Sequence, residues 1–242
     1  MIFLPIIIFF VLLCIRVSVA FSIAIGALSF FVLDGGIPTY IFVQRLISPT
    51  LSFPLLAVPF FIMTGVIMNY SGITRRIMNL ADVLVGHLIG GFAQINILMS
   101  TLMGGMSASA NADAAMQSKI VVPEMIKRNY GAGFSASITA CSAIIAAIIP
   151  PGIALVLYGF ISGTSIGKLF LAGILPGIFI SIILMITVRF MSVKKKYAPS
   201  RNKKANIKEI IHSFREAIFG LLIPIIKVGG IRFGIFTPTE AG

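Results

Sequence analysis

Charged side chains are scarce in this chain. Asp, Glu, Lys and Arg together make up 11% of its 242 residues, whereas an ordinary soluble domain contains about 25%. Hydrophobic residues account for 58% of the chain, and the mean hydropathy is +1.06. This composition excludes an ordinary soluble domain and predicts an integral membrane protein.

Residues that carry enzyme chemistry are also few. The chain has 2 His and 7 acidic residues, spread so that no nucleophile, base and orienting group can be assembled. The phosphate-binding pattern GxxxxGK is absent, which argues against direct ATP coupling within this chain. Cys14 and Cys141 lie in apolar segments without metal-ligand spacing, so we expect two small buried hydrophobic residues. The sequence thus predicts no enzyme, no disulfide and no resident cofactor.

Long apolar runs indicate helices rather than a β-barrel. A membrane-spanning helix needs about 20 apolar residues, whereas a barrel would show short segments of alternating polarity. We therefore expect an all-α helical bundle. The first apolar block contains Pro5 and Arg16 and predicts either one long tilted helix or two short helices. The apolar blocks lie at 2–33, 51–70, 88–122, 134–160, 168–190 and 217–231.

The basic residues predict which loops are cytoplasmic. The formal net charge is +12, and a basic cluster lies between 194 and 208 beside an apolar run. The positive-inside rule explains this cluster better than nucleic-acid binding does, so we expect a cytoplasmic loop and no nucleic-acid partner. Lys127 and Arg128, like Arg75 and Arg76, then fall on the same side of the membrane.

The segment between Arg76 and Lys127 must therefore leave the cytoplasmic side and return to it. Two spans or one re-entrant helical hairpin would both do so. The two arms of this segment are short, about 16 residues each, and the tip between them is polar. We favour a re-entrant hairpin, because non-helical backbone at membrane depth is tolerated where it lines a protein cavity.

The tip of this hairpin combines small, polar and acidic residues in the sequence GGMSASANAD at 104–113. Glycine permits backbone geometries closed to other residues, while Ser107 and Ser109 offer hydroxyl oxygens beside the carbonyls of an opened turn. These groups suit a hard monovalent cation. A carboxylate at bilayer depth costs roughly 2.5 to 3.5 kcal/mol, so an embedded Asp113 should face a cavity, an ion or a partner.

A second interruption is predicted at the sequence IPPG, residues 149–152, inside an apolar segment. Two prolines remove amide donors and free carbonyls of the preceding turn, so the helix should break at mid-membrane. Interrupted helices indicate a coupling-ion or substrate site in secondary transporters, because freed carbonyls hold a cation and helix N-termini attract anions.

A purely structural explanation stays open for both interruptions. Gly and Ser also allow close helix packing, and prolines also make ordinary kinks. We expect Gln94, Asn96 and Ser100 to make packing hydrogen bonds within the hairpin. Lys119 and Glu124 lie near the cytoplasmic end of the hairpin, where snorkelling explains them.

Three motifs in combination resemble the large permease subunit of tripartite ATP-independent periplasmic (TRAP) transporters. Their order and separation agree with that family over nearly the whole chain. The motifs are GGMSASANAD at 104–113, PPG at 150–152, and GGI at 229–231 with TPTEA at 237–241.

The resemblance implies a sodium-driven secondary importer of organic acids, such as C4-dicarboxylates, sialic acids or other sugar acids. It also implies a multi-pass protein embedded in the lipid bilayer of a bacterial inner membrane. A periplasmic binding protein would deliver the substrate, and a small four-helix membrane subunit would brace the large one. The transport domain of the large subunit would move in an elevator manner, with sodium as the coupling ion and no other cofactor.

The resemblance further implies two inverted repeats, of which this chain would be one half of an inverted-repeat ion-transporter-type fold. We therefore expect scaffold spans with an interfacial arm (1–85), the re-entrant hairpin (86–126), and a broken helix with its following span (127–191). A basic cytoplasmic linker with a short amphipathic helix (192–216) and the truncated start of a second repeat (217–242) would follow.

Site residues follow from matching this sequence to the family motifs. The chain stops at the second hairpin tip, so the second ion site would be incomplete. The residues are Gly105, Ser107, Ser109, Pro150 and Gly152 for the first sodium site, Asn111 and Asp113 for the substrate, and Gly234, Thr237 and Thr239 for the second sodium site.

Two other functions remain open at this level. A truncated membrane remnant that binds the small subunit without transporting is the principal alternative. A passive channel is a third, although nothing in the sequence resembles a ring of charges or a repeated filter. We expect the chain to be the N-terminal half of a permease whose intact form transports.

Overall fold

A computed structural model describes residues 3–33, 37–51, 53–237 and 240. Across these residues the secondary structure is helical, with no strand, which confirms the all-α prediction. The helices are α1 (Leu4–Cys14), α2 (Val19–Leu33), α3 (Tyr40–Ile47), a 3-10 helix (Ser48–Leu51), α4 (Phe53–Tyr70), α5 (Ile73–Val85), α6 (Gly91–Ser107), α7 (Ala110–Lys127), α8 (Ala132–Ile148), α9 (Ile153–Ser162), α10 (Ile166–Lys195) and α11 (Ile207–Arg232).

One helix in the described part of the chain, α10, is both long and apolar enough to cross a membrane by itself. Two further pairs of helices pass the same criteria jointly but are bent. Leu55–Met68 with Ile73–Val85 bends by 71°, and Ala132–Ile148 with Ile153–Ser162 bends by 45°. Counting each bent pair as a single span gives up to three spans among the described residues.

Residues 1–52 form one compact unit, and residues 53–242 form another. In the first unit, the apolar block 2–33 forms two short helices rather than one long one. The helical structure is interrupted between them near Arg16, whose φ is +66°. Gly26 of α2 then packs directly on α1, because a Cβ there would lie 2.9 Å from the carbonyl oxygen of Pro5.

The expectation of buried cysteines is wrong. Cys14 of α1 and Cys141 of α8 are both exposed free thiols. Their helices are apolar on several faces, since exposed large hydrophobic residues such as Phe10 and Ile144 lie beside them. An apolar sequence around a cysteine therefore does not show whether the helix faces lipid or a protein core.

The core of the second unit is built from α6 and the helices around it. Asn96 of α6 is fully buried and its Nδ2 donates to Thr139 Oγ1 of α8 at 2.8 Å, while Ser142 Oγ donates to Asn96 Oδ1 at 2.7 Å. Gln94 Nε2 donates to the carbonyl of Met185 in α10 at 2.9 Å. These are packing hydrogen bonds, as expected, but they join α6 to α8 and α10 rather than staying within the hairpin.

The basic linker after α10 is tied to the turn after α5. The N–H groups of Ser200 and Arg201 donate to the carbonyl of Gly86 at 2.8 and 3.1 Å. The Arg201 guanidinium also pairs with Glu209 at 3.0 Å and with Asp82 at 3.9 Å. The linker therefore has a defined path between α10 and α11.

The sequence predicts that a short amphipathic helix ends at 216 and that an apolar block begins at 217. The structure has no helix boundary at this point. Both segments lie in the single helix α11, which contains 26 residues. Neither Pro nor Gly occurs between Ile207 and Phe219, so nothing in the backbone ends the helix at the change of polarity. Pro224 lies inside the helix.

We expect Asn96→Ala to lower the free energy of unfolding by about 2 to 4 kcal/mol, because it removes the buried hydrogen bonds to Thr139 and Ser142 and leaves a cavity. Thermal unfolding of the purified chain in detergent, followed by circular dichroism at 222 nm, would measure this. Thr187→Ala, at an exposed hydroxyl that bonds only the Ile183 carbonyl of its own helix, is the control. Equal midpoints for both variants would contradict the assigned role of Asn96.

Candidate functional site

The hairpin tip is a two-residue turn between α6 and α7. Ala108 has φ +54°, which ends α6 in the left-handed region. Ser109 is extended and caps α7, and its Oγ accepts from the N–H of Ala112 at 3.4 Å. The serine at 109 is thus a helix cap, while its hydroxyl remains beside the tip.

The break predicted in the IPPG sequence lies between α8 and α9. α8 ends at Ile148, and Ile149 and Gly152 have extended backbone before α9 begins at Ile153. Pro150 and Pro151 have no N–H to donate back to the last turn of α8. Carbonyls of that turn therefore lack the helical partners they would have in an unbroken helix.

The tip and the break contact each other directly. The N–H of Ile153 donates to the carbonyl of Ala108 at 3.0 Å. A Cβ on Gly105 would lie 2.9 Å from the Pro150 carbonyl oxygen and 2.8 Å from Cγ of Pro224 in α11. Glycine at 105 therefore allows three segments, from α6, the α8–α9 break and α11, to meet without steric conflict.

Four helix ends meet at this junction. The carbonyl ends of α6 and α8 and the amide ends of α7 and α9 lie around the contact between Ala108 and Ile153. Carbonyl ends carry partial negative charge and favour cations, whereas amide ends favour anions. The junction thus offers polar backbone groups of both signs in an otherwise apolar protein.

A cavity of about 200 Å³ lies between α4 and this junction, and most of its lining is apolar. Its polar side chains are Ser107 and Ser109. In the described part of the chain Ser107 Oγ is buried and has no hydrogen-bond partner. Burying a hydroxyl without a hydrogen-bond partner costs free energy, because the group loses its contacts with water. Binding of a ligand that this oxygen coordinates would offset that cost.

The atoms that could coordinate a ligand at the junction are uncharged hydroxyl and carbonyl oxygens. No cluster of three or more His, Cys, Asp or Glu that could hold a metal exists among the described residues. Hydroxyl and carbonyl oxygens are hard ligands. Gly65 of α4 packs on the tip backbone, since its Cβ would lie 3.4 Å from the Met106 carbonyl oxygen, and so lets α4 cover these oxygens closely.

The structure brings together the residues assigned to the first sodium site. Gly105 and Pro150 are in contact, Ser107 and Ser109 line one cavity, and Gly152 directly precedes the amide that binds the tip. Their role in binding sodium stays a prediction. Their proximity follows from the contact of the two helix breaks.

Asn111 and Asp113, assigned to the substrate, are separated. Asn111 is exposed, whereas Asp113 is fully buried, as their two-residue spacing on a helix requires. Asp113 Oδ2 accepts from Ser100 Oγ at 2.7 Å and from Gln117 Nε2 at 2.7 Å. This carboxylate thus ties α6 to α7 inside the hairpin, and its role in substrate binding stays a prediction.

The residues assigned to the second sodium site lie after the end of α11. Gly234 is exposed with φ +70°. Thr237 is exposed, and its N–H and Oγ1 donate to Glu240 Oε2 at 2.7 and 2.8 Å. Thr239 lies outside the described residues. The contacts seen for Thr237 are therefore local, and the second site stays a prediction.

Sequence reasoning missed Gly65 and Pro224. Neither belongs to a motif, yet Gly65 contacts the tip backbone and Pro224 packs against Gly105. A proline inside an apolar helix was the available signal for Pro224. Nothing in the local sequence distinguished Gly65 from other glycines in apolar segments.

Residues 6–242 match the family described as "Tripartite ATP-independent periplasmic transporter, DctM component". The match covers nearly the whole chain, including the tip and the break. This chain belongs to that family. The resemblance drawn from the three motifs is therefore confirmed, and the protein is assigned to a family of membrane-embedded transporter permeases rather than enzymes.

Several curated relatives have assigned functions. The chain is 43% identical over 223 residues to the sialic acid TRAP transporter large permease protein SiaM of Vibrio cholerae, covering 92% of this chain and 52% of SiaM. It is 43% identical over 202 residues to the 2,3-diketo-L-gulonate TRAP transporter large permease protein YiaN of Escherichia coli, covering 84% and 47%. It is 37% identical over 198 residues to the C4-dicarboxylate TRAP transporter large permease protein DctM of Pseudomonas aeruginosa, covering 81% and 46%. The chain thus spans about half the length of these relatives.

We expect Gly105→Ala to lower the free energy of unfolding by about 1 to 3 kcal/mol, because the new Cβ would overlap Pro224 and the Pro150 carbonyl and force the junction apart. Thermal unfolding in detergent measures this. Gly133→Ala in α8 is the matched control, since no atom lies within 4 Å of its Cβ position. A Gly105→Ala midpoint equal to that of Gly133→Ala would show that the junction is not closely packed.

Proposed function

We propose that this chain is the membrane subunit of a sodium-driven secondary importer of organic acids in a bacterial inner membrane. A periplasmic binding protein delivers the substrate, and a small membrane subunit braces the permease. Sodium and the organic acid bind at the junction of the hairpin tip and the α8–α9 break. Family membership supports this proposal, and so does the geometry of the junction.

The observation that carries the proposal is the buried Ser107 hydroxyl, which has no partner among the described residues, at the point where two interrupted helices touch. Backbone carbonyls and one or two hydroxyls are the donor set expected of a sodium ion in a secondary transporter. Among the residues that the structure describes, the lining of the cavity beside Ser107 includes no carboxylate. This favours a monovalent cation, because divalent ions are usually bound through carboxylate ligands.

The same junction suits an anion beside the cation. α7 and α9 begin here, and helix N-termini attract negative charge. A bound sodium ion would add positive charge next to these amide ends and strengthen the attraction for a carboxylate. Coupling would then follow from mutual stabilisation, since each ligand improves the affinity for the other by the same factor.

The organic-acid class rests on the relatives. The substrates in their names are sialic acid, 2,3-diketo-L-gulonate and C4-dicarboxylates. All of these compounds carry a carboxylate. We extend this shared chemistry to the present chain. The identity of the acid depends on groups beyond the shared carboxylate.

The α6–α7 hairpin is re-entrant in this proposal. α6 and α7 contain 17 and 18 residues, which at 1.5 Å per residue gives arms of about 26 Å, short of the roughly 30 Å hydrocarbon core. Buried polar side chains along both arms, such as Ser100 of α6 and Asp113 of α7, suit a hairpin held inside protein rather than two lipid-exposed spans. The inverted repeat and the elevator motion belong to the same proposal.

Replacing Ser107 and Ser109 by Ala should weaken sodium binding about tenfold, since two hydroxyl oxygens are removed from the site. Radioactive sodium binding to the purified chain in lipid nanodiscs, measured by scintillation proximity against potassium as the competing ion, tests this directly. Ser118→Ala is the control, because Ser118 is exposed on α7 and bonds only the Ala115 carbonyl. Unchanged binding in the double variant would refute the assigned site.

Uptake separates transport from the non-transporting alternative. Cells that express the gene together with its neighbouring genes would be supplied with labelled sialic acid and C4-dicarboxylates, in sodium or in choline buffer. Sodium-dependent uptake that is lost in the Ser107 and Ser109 double variant supports the importer. Sodium binding without any uptake, for any acid of the panel, would favour a membrane subunit that binds but does not transport.

A further inference from the structure

Two cavities in the second unit adjoin each other between α4 and α7. The first is the 200 Å³ cavity beside Ser107 and Ser109. The second, of about 380 Å³, is lined by residues further along α4 and α7. The two share Val66, Ala112 and Met116 as lining residues, so they lie side by side along α4 and α7, and we refer to the pair as the cleft.

The cleft is polar at its two ends and apolar between them. Ser107 and Ser109 lie at the junction end. Lys119 lines the other end together with Tyr70, which is 89% exposed. The cleft therefore has the tip hydroxyls at one end and one basic side chain, Lys119, at the other.

Lys119 forms no ion pair with any residue that the structure describes. By contrast Lys127, two turns later on the same helix, pairs with Glu124 at 2.7 Å. An exposed ammonium group at the mouth of a cleft with apolar walls raises the local positive potential, because low-dielectric walls focus the field. The potential at this mouth therefore favours anions over cations.

We propose that the cleft between α4 and α7 is the path of the organic anion between the junction and the aqueous phase, with Lys119 as the residue that draws anions into it. This inference rests on the proposed function, because it presumes an anionic substrate at the junction. In this proposal Lys119 favours anions over cations at the mouth of the cleft, whereas the sequence predicted only that its side chain snorkels to the membrane surface. The path would serve substrate release to the side on which Lys119 lies.

Charged thiol reagents measure this potential without knowledge of the substrate. Ser109 lines the cavity at the junction and not the other one, whereas Ala115 lines the cavity that contains Lys119. Each would be changed to Cys in a Cys14→Ser, Cys141→Ser background. The anionic sulfonatoethyl and cationic trimethylammonioethyl methanethiosulfonates would be applied to the protein in nanodiscs, where both faces are open. The rate ratio of the two reagents cancels thiol exposure and thiolate fraction.

At Ala115→Cys, Lys119→Gln should lower the ratio of anionic to cationic reagent rates about threefold or more, as loss of a unit charge within a Debye length requires. Lys119→Arg should keep the ratio. Native Cys141, exposed on α8 and studied with only Cys14 replaced, is the control and should not respond to Lys119→Gln. Ser109→Cys should react with both reagents.

Two results would overturn the inference. A ratio at Ala115→Cys that Lys119→Gln leaves unchanged would mean that Lys119 only snorkels. A Ser109→Cys thiol that resists both reagents while Ala115→Cys reacts would mean that the cleft does not reach the junction. Neither readout depends on sodium, so failure of the sodium site would appear separately, in the binding isotherms of the serine variants.

Discussion

The hydrogen bond from the Ile153 amide to the Ala108 carbonyl joins the two interruptions on which this fold depends. An apolar interior cannot leave helix ends without partners, because each lone backbone group there costs several kcal/mol. Two broken helices therefore become stable only when their ends meet each other or a ligand. Among the described residues one such contact joins Ile153 to Ala108, and the buried Ser107 hydroxyl beside it has no partner there.

The polar side chains around the junction divide into two groups. Asp113 with Ser100 and Gln117, and Asn96 with Thr139 and Ser142, form hydrogen bonds that fix α6 against α7 and α8. They hold the arms rigid while the tip hydroxyls remain available. Rigid support of this kind would hold the ligands of the proposed ion site in a fixed geometry.

Much of this arrangement could be predicted from sequence. The helical class, the hairpin turn near Ser109 and the break at 149–152 follow from apolar runs, small polar residues and proline chemistry, which act within a few residues. The exposure of Cys14 and Cys141 could not, because an apolar helix that faces lipid has the same composition as one that faces a core. The continuity of α11 was missed because polarity changes at 216/217 while the backbone has no reason to break there.

The sequence by itself determined that the chain is helical, apolar and interrupted at two places, since these properties depend on local backbone chemistry and on the balance of apolar residues. Its motifs also determined the family. Only the tertiary structure decided that the two interruptions touch, that Gly65 and Pro224 close around them, and that Asp113 turns inward while Asn111 faces outward. Those outcomes depend on how helices from distant parts of the chain pack, and close packing is a property of their combined shapes.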